Sequence, residues 1–557
     1  MARATVVFNE DGDLTSALEP GRATQMLRDC MVHMTDQIPI DIYEAHSATP
    51  DICFHPTKVG ETLGARMLDE IQAYIKEVPY AEAAAGGKPY RVHYYIANAI
   101  EMLRQEGTSP IDVRAEALHQ RGVKFIVEMR MGDTHQSALT PDNPLVSQFA
   151  MDHPEYVIKR PDGITPVALD YSHEQVRAHR LAILREIAEE HDVDGLSLNF
   201  MRWGKYFERD RGFEKAPIMT DFVGQIRAML DAAAQRRGRG RLLLGARVMS
   251  TIEESFGAGL DVGAWMQRGW LDYVIPCEHN CSWPGLEVEQ FVSAAEGTDC
   301  AVYGMMGDMI GGAWMSKPDP EPRGLARAEQ WNGYCSMLNT SDEARATAAN
   351  VYAWGATGIG FWNIPNNFNL FRHGKWGRSP EQQQRMLDWI HEAIDPDRIA
   401  AGTRRYHYVP IYKRDYHGVQ RNYKYLECWR SQHGAFKGPT IFFNEGRRGA
   451  RQVFPFRAAD GREGETLEGT LRFRMLHCLD EDAFGVDING TTVPAHDLER
   501  TEDRTDPEIP WTWVKLELAN CPPLRGDNEL GLTWRSTRDT GMNVPYMEEL
   551  DMIVHPG

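Results

Sequence analysis

The chain lacks a basic face: 60 lysines and arginines stand against 80 aspartates and glutamates, a formal charge of −20. That balance excludes a general nucleic-acid binder, which has to neutralise phosphates with clustered cations. The one dense basic run, Arg236-Arg237-Gly238-Arg239-Gly240-Arg241, falls between a helical pattern and a strand pattern and reads as a solvated loop. An apolar run of roughly 18 residues is also absent, so no membrane-crossing helix is expected. The nine cysteines are scattered and odd in number, which fits reduced thiols better than a disulfide framework. Cys277 and Cys281, with His279 between them, form the one tight cluster, and no second ligand pair accompanies them, so no metal is expected. Neither a Gly-x-Gly-x-x-Gly nor a phosphate-binding loop follows the first strand pattern, and no cofactor is expected. Met1 to Leu14 has no apolar stretch and carries Glu10, Asp11 and Asp13, unlike a secretory leader. The expected location is the cytoplasm, or outside the cell with a leader missing from this sequence.

What is present is a repeat of short apolar run, loop and amphipathic helix. The strand-like runs are Pro39–Glu44, Arg91–Ile96, Val123–Met129, Gly195–Phe200, Leu242–Val248, Tyr273–Pro276, Ala301–Met305 and Gly358–Trp362. Helical spacing marks Thr62–Lys76, Gln175–His191, Thr220–Gln235, Arg323–Leu338, Ser341–Trp354 and Glu381–Ile394, with Ser341 as a helix cap. Alternating strands and helices imply a parallel sheet, and eight strands close a (β/α)₈ barrel. Past Arg404 the texture changes to short alternating strands and turns, as in Phe484–Gly490, Trp513–Leu518 and Asp527–Leu532. The expected architecture is a barrel over 1–403 followed by an all-β sandwich over 404–557, without a flexible linker.

In such a barrel, chemistry sits at the C-terminal ends of the strands. Alternation in the third strand places Glu128 and Arg130 on the inner face, as a pair bracing the barrel, with Asp133 and His135 following at the mouth. Ser197 and Asn199 share the inner face of the fourth strand, and Arg202 and Trp203 lie just past it. Arg247 comes from the fifth strand. The three arginines, Arg130, Arg202 and Arg247, would converge on one opening and suit an anionic sugar. Glu44, Glu278 and Asp308 are further carboxyl groups at strand ends, beside His279, Trp362 and Asn363. Two of these carboxyl groups acting together could supply acid and base, and Trp203 and Trp362 offer flat faces for a pyranose.

The run Met129-Arg130-Met131-Gly132-Asp133-Thr134-His135 and the run Asp194-Gly195-Leu196-Ser197-Leu198-Asn199-Phe200-Met201-Arg202 resemble the third- and fourth-strand patterns of the family 10-like glycosyl hydrolases, a group of bacterial barrel proteins. Gly259-Leu260-Asp261-Val262 with Trp265, Gly269 and Asp272, and Ala356–Asn363 at the eighth strand, extend the resemblance over about residues 35–395. It implies a barrel and cleavage of glycosidic bonds in an oligo- or polysaccharide. That family carries a Glu and an Asp where this chain has Ser197 and Asn199. An amide can bind a sugar hydroxyl but cannot serve as acid or nucleophile. The catalytic pair is therefore expected elsewhere: Glu278 as acid, with Asp133 or Asp308 as partner and Glu44 as a further candidate. The expected partner is a carbohydrate, and self-association stays open. Two other readings remain: a carbohydrate-binding protein without catalysis, and a metal-dependent hydrolase on the same barrel. The second would want a His-x-His where the chain has Glu44-Ala45-His46.

Overall fold

The computed structural model describes residues 4–49, 51–85, 91–132, 139–159, 166–201, 205–208, 211–278, 281–307, 309–313, 336–362, 364, 380–408, 441, 443, 445–503, 511–539 and 544–556. Eight parallel strands form the barrel: β1 (Thr5–Glu10), β2 (Ile42–Thr49), β3 (Lys124–Arg130), β4 (Gly195–Asn199), β5 (Leu243–Met249), β6 (Tyr273–Cys277), β7 (Ala301–Met306) and β8 (Gly358–Phe361). Each pairs with the next, and β8 returns to β1, where Val6 lies opposite Ile359 and Val7 opposite Gly360. Closure leaves this sheet without a free edge between β8 and β1.

Two strand expectations are corrected, and they compensate each other. Arg91–Ile96 is not a strand but the start of helix α2 (Arg91–Gln105), which follows α1 (Ala23–Gln37). Its aromatic and β-branched start looks extended when read alone. The apolar spacing continues through Ala97, Ile100 and Leu103, all buried, and only a helix keeps that spacing on one face. The true first strand is Thr5-Val6-Val7-Phe8-Asn9-Glu10. Its polar end hid it, because Asn9 and Glu10 are buried at 0% exposure on private partners. Glu10 takes a forked contact from Arg114 of α3 (Pro110–His119), at 2.6 and 2.9 Å, and a hydrogen bond from the Tyr43 hydroxyl.

Further helices include α4 (Glu174–Glu190), α5 (Gly212–Arg236), α6 (Ile252–Gly257), α7 (Val262–Gln267), α8 (Val288–Ala294), α9 (Ser341–Ala353) and α10 (Pro380–Ile394). The helix expected over Thr220–Gln235 already begins at Gly212. The cap of α9 is Thr340, one residue earlier than expected. Its hydroxyl accepts from the Glu343 amide while the Glu343 carboxylate accepts from the Thr340 amide at 3.2 Å. Of the helix expected over Arg323–Leu338, residues 336–338 form a strand and the rest lies outside the described residues. Among the described residues no helix is long and apolar enough to cross a membrane.

Beyond the barrel two antiparallel sheets stack as a sandwich. One has the order β9 (Arg404–Tyr408), β17 (Tyr546–His555), β11 (Glu468–Leu476), β15 (Trp511–Glu517), β14 (Glu499–Asp503). The other runs β10 (Arg451–Ala458), β16 (Gly526–Trp534), β12 (Phe484–Ile488), β13 (Thr491–Val493). Their inner faces meet through Tyr408 against Phe454 and Phe456, and Phe473 against Phe484. Bonds join sandwich and barrel: Arg457 pairs with Glu289 at 2.7 Å, and Asn350 of α9 donates to the Arg457 carbonyl.

The outer face of the five-stranded sheet carries a buried charge cluster. Asp551 accepts a fork from Arg405 at 2.7 and 2.9 Å and a further bond from Arg472, and His407 Nδ1 lies 2.7 Å away. Burial works against that charge, but Arg405, Arg472 and His407 outweigh it and hold the carboxyl well below the usual carboxylate range. A depressed carboxyl stabilises the fold above its unfolded pKa of about 3.9 and loses that contribution as pH falls. Asp551→Asn therefore costs about 3–5 kcal/mol at neutral pH, because the buried Arg405 and the half-buried Arg472 lose their shared counter-charge. Urea unfolding at pH 7 measures this. The gap between variant and parent should narrow in acid, and a gap that is small at pH 7 would contradict the account.

Candidate active site

The inner faces of the barrel strands bring six polar side chains into one buried network. The nine-to-ten alternation in β1 turns Asn9 inward. Its Nδ2 donates to Glu128 Oε2 at 2.7 Å and to Glu44 Oε2 at 3.2 Å. Asn199 Nδ2 donates to the other Glu128 oxygen at 3.0 Å. Arg247 donates to Glu44 Oε2 at 2.9 Å, and its Nε lies 3.7 Å from Glu128. The Tyr273 hydroxyl reaches across from β6 to Glu44 Oε1 at 2.6 Å. Every one of these residues is at most 1% exposed.

The two carboxyl groups share a nitrogen but not an environment. Glu44 receives one bond from Arg247 and one from the Tyr273 hydroxyl. Glu128 receives two neutral amides and stands farther from the guanidinium. Burial is the largest influence on Glu128. Arg247 opposes it, the nearby Glu44 charge adds to it, and the balance pushes the carboxyl up to about 7. The same burial, together with Glu44, raises the Tyr273 phenol well above its ordinary value, so it stays a donor.

Gly245 makes that reach possible. It lies opposite Tyr273 across the β5–β6 ladder, and a Cβ at this position would fall inside the Tyr273 ring. Gly245→Ala should displace the phenol from Glu44 and destabilise the chain by about 1–3 kcal/mol, the usual cost of overpacking. The thermal midpoint checks this, and an unchanged midpoint would show that the ring can move aside freely.

The sequence expectations fare unevenly. Glu44, Asn199 and Arg247 belong to the network. Arg130 is turned inward as expected, but its partner is Asp11 at the end of β1, not Glu128. The charges of Arg130 and Arg247 are thus both met by carboxylates of the chain. Glu278 is 2% exposed and falls on the other parity of β6 from Tyr273 and Cys277. The Cys277 thiol lies beside Arg247, whereas Glu278 Oε1 is 2.7 Å from the Ser250 hydroxyl, itself 2.8 Å from Glu254. Trp362 is 3% exposed and its amide bonds the Met306 carbonyl, so its ring is enclosed. Asp133, His135, Arg202, Trp203, His279, Asp308 and Asn363 lie outside the described residues.

Sequence reasoning missed three members. Glu128 was seen to point inward but was assigned to bracing. Asn9 went unnoticed with its strand. Tyr273 looked like an ordinary strand aromatic. The Gly245-to-Tyr273 pairing was the available signal, and it needs the register of two strands to be seen. Among the described residues one group, His407, Glu549 and Asp551, has ligand atoms close enough for a metal ion. It lies in the sandwich, and Arg405, Arg472 and Arg474 already neutralise its carboxylates. That donor set does not suit a cation.

No family model matches the sequence, and no curated protein does. Solved structures do show likeness. An alpha-L-fucosidase, isoenzyme 2 from Paenibacillus thiaminolyticus, aligns at a TM-score of 0.40 and 11% identity, over 72% of this chain and 51% of that one. The glycoside hydrolase domain of PgaB from Bordetella bronchiseptica aligns at 0.36 and 11%, over 70% and 99%. An alpha-amylase from Lactobacillus plantarum aligns at 0.35 and 12%, over 98% of each chain. This chain thus spans about half the length of the fucosidase.

Proposed function

We propose that this chain hydrolyses glycosidic bonds in a carbohydrate, with Glu128 as the proton donor and Glu44 as its partner. The observation that carries the reading is the pair itself: two carboxyl groups bridged by one amide nitrogen, in opposite surroundings. Paired carboxyl groups in unlike environments can divide acid from base. Glu128, half protonated near neutrality, can give its proton to the leaving oxygen. Glu44, bonded by Arg247 and by the Tyr273 hydroxyl, can attack the anomeric carbon or activate water. The two Oε2 atoms are each bonded to Asn9 Nδ2, so at most ~6 Å separates them, near the short spacing of retaining enzymes. Glu278 is left out of the pair because it faces Ser250. No acidic-sugar preference is carried forward, since Arg130 and Arg247 are already paired.

A second reading is favoured by the enclosure of both carboxyl groups and by the amide at Asn199. In it the network braces the barrel, and the chain binds carbohydrate at the mouth without cleaving it. One screen separates the two: the purified chain against neutral, uronic and sulfated oligosaccharides, with and without chelator. Released sugar that survives chelation supports the hydrolase. Binding without product supports the second reading. Neither product nor binding on any member overturns both.

A further inference from the structure

The amide of Asn199, the last residue of β4, is held in one orientation. Its Oδ1 accepts from the Met201 backbone N–H at 2.9 Å, and a backbone N–H can only donate. That bond closes a turn at the strand end and fixes which side of the side chain is nitrogen. The nitrogen therefore faces Glu128, donating to Oε1 at 3.0 Å. Asn199 and Glu128 are each 1% exposed, so bulk water does not compete for the bond. Asn9 differs in kind. Its Nδ2 is shared between Glu128 Oε2 and Glu44 Oε2, so it favours charge on either carboxyl. Asn199 holds the other Glu128 oxygen.

An acid in so closed a place tends to keep its proton, yet a proton donor must also release it. Burial is the largest influence holding the proton on Glu128, and the Glu44 charge adds to it; Arg247 opposes them, and the Asn199 bond works on the side of Arg247. The other titratable groups nearby have partners of their own. Tyr273 is bonded to Glu44, the Cys277 thiol lies beside Arg247, and Arg130 pairs with Asp11. His46, opposite Glu128 on β2, has its Nε2 2.6 Å from the Thr49 hydroxyl. A hydrogen bond given to the charged form favours that form. We propose that Asn199 is a positioning residue that sets the pH at which Glu128 gives up its proton, by presenting a locked N–H to the ionised carboxylate. This rests on the reading of Glu128 as proton donor for its functional meaning. A carboxylate in place of the amide, bonded to the same Met201 N–H, would turn an oxygen toward Glu128 and act in the opposite sense.

The test is an infrared titration of the full chain, which reads the stretch of a protonated carboxyl. Glu128→Gln identifies the band by removing it. In the parent the band should fade as pH rises through about 7. Asn199→Leu removes the N–H at similar size. Asn199→Asp removes it too but keeps an acceptor for the Met201 amide, so the turn is retained. Both should move the midpoint upward by at least about half a pH unit, roughly threefold in proton affinity, and Asn199→Asp further because it adds a charge. In the parent itself, the Asn199 side-chain amide proton should shift in NMR with the Glu128 midpoint, a readout that needs no variant. A merely structural Asn199 would change the melting temperature and leave the midpoint in place. An unmoved or lowered midpoint in the folded variants, or an Asn199 signal indifferent to the titration, would overturn the proposal. The proton is read without turnover. If the chain cleaves no sugar, the hydrolase reading falls and the shifted midpoint still stands; if cleavage follows Glu128 but the midpoint stays put, only the role of Asn199 falls.

Discussion

Glu128→Gln lowers kcat/KM on a natural oligosaccharide by about 10²- to 10⁴-fold, the range of a positioned general acid. The amide keeps the shape and still meets Asn9 and Asn199, but it has no proton to give. The pH profile carries the signature. With the carboxyl pushed up to about 7, the parent's kcat/KM should fall as pH rises through that value, and the variant's residual rate should lack this limb. The same shift leaves a mark on stability. A carboxyl whose folded pKa is raised stabilises the chain below its unfolded pKa of about 4.3, and that contribution is lost as pH rises toward about 7. The parent's melting temperature should carry that downward slope from Glu128, and the variant's should not. A catalytic loss without the altered profile would speak for a merely structural residue.

Arg247→Met should destabilise the chain by about 3–5 kcal/mol, because it leaves Glu44 buried without its cation. Denaturant unfolding reads it directly. Methionine fills much of the space, so the loss reports charge more than a cavity. Pairing the change with Glu44→Gln should recover part of the loss, since removing both charges of a buried pair is often nearly neutral. No recovery in the double variant would mean that Glu128, which also faces Arg247 at 3.7 Å, is the carboxylate that suffers.

The barrel was legible because its middle strands are apolar runs such as Phe125-Ile126-Val127, which no solvent-facing element tolerates. The sandwich was legible for the opposite reason: its strands alternate, as along Phe484–Ile488, where every second residue is buried. β1 was not legible because half of it is polar, and its Asn9 and Glu10 meet Glu44, Glu128, Tyr43 and Arg114, far off in the chain. The network was half legible. Period-two spacing correctly turned Glu128, Arg130, Asn199 and Arg247 inward, but spacing cannot name partners. Arg247 meets Glu44 across 203 residues, and Tyr273 meets it across 229. Arg130 pairs instead with Asp11, one residue past β1, so Glu128 has no bracing role with Arg130. Glu278 looked attractive as a carboxylate ending a strand. One step of alternation past Cys277 sends it to Ser250 instead.

The most direct test of the central claim compares leaving groups in the parent and in Glu128→Gln. A proton donor matters for a poor leaving group and little for an activated aryl group, which departs without help. The account predicts that the variant loses at least about 10²-fold on the sugar leaving group and far less on the activated glycoside. Equal losses on both, or a parent chain that cleaves neither, would contradict it.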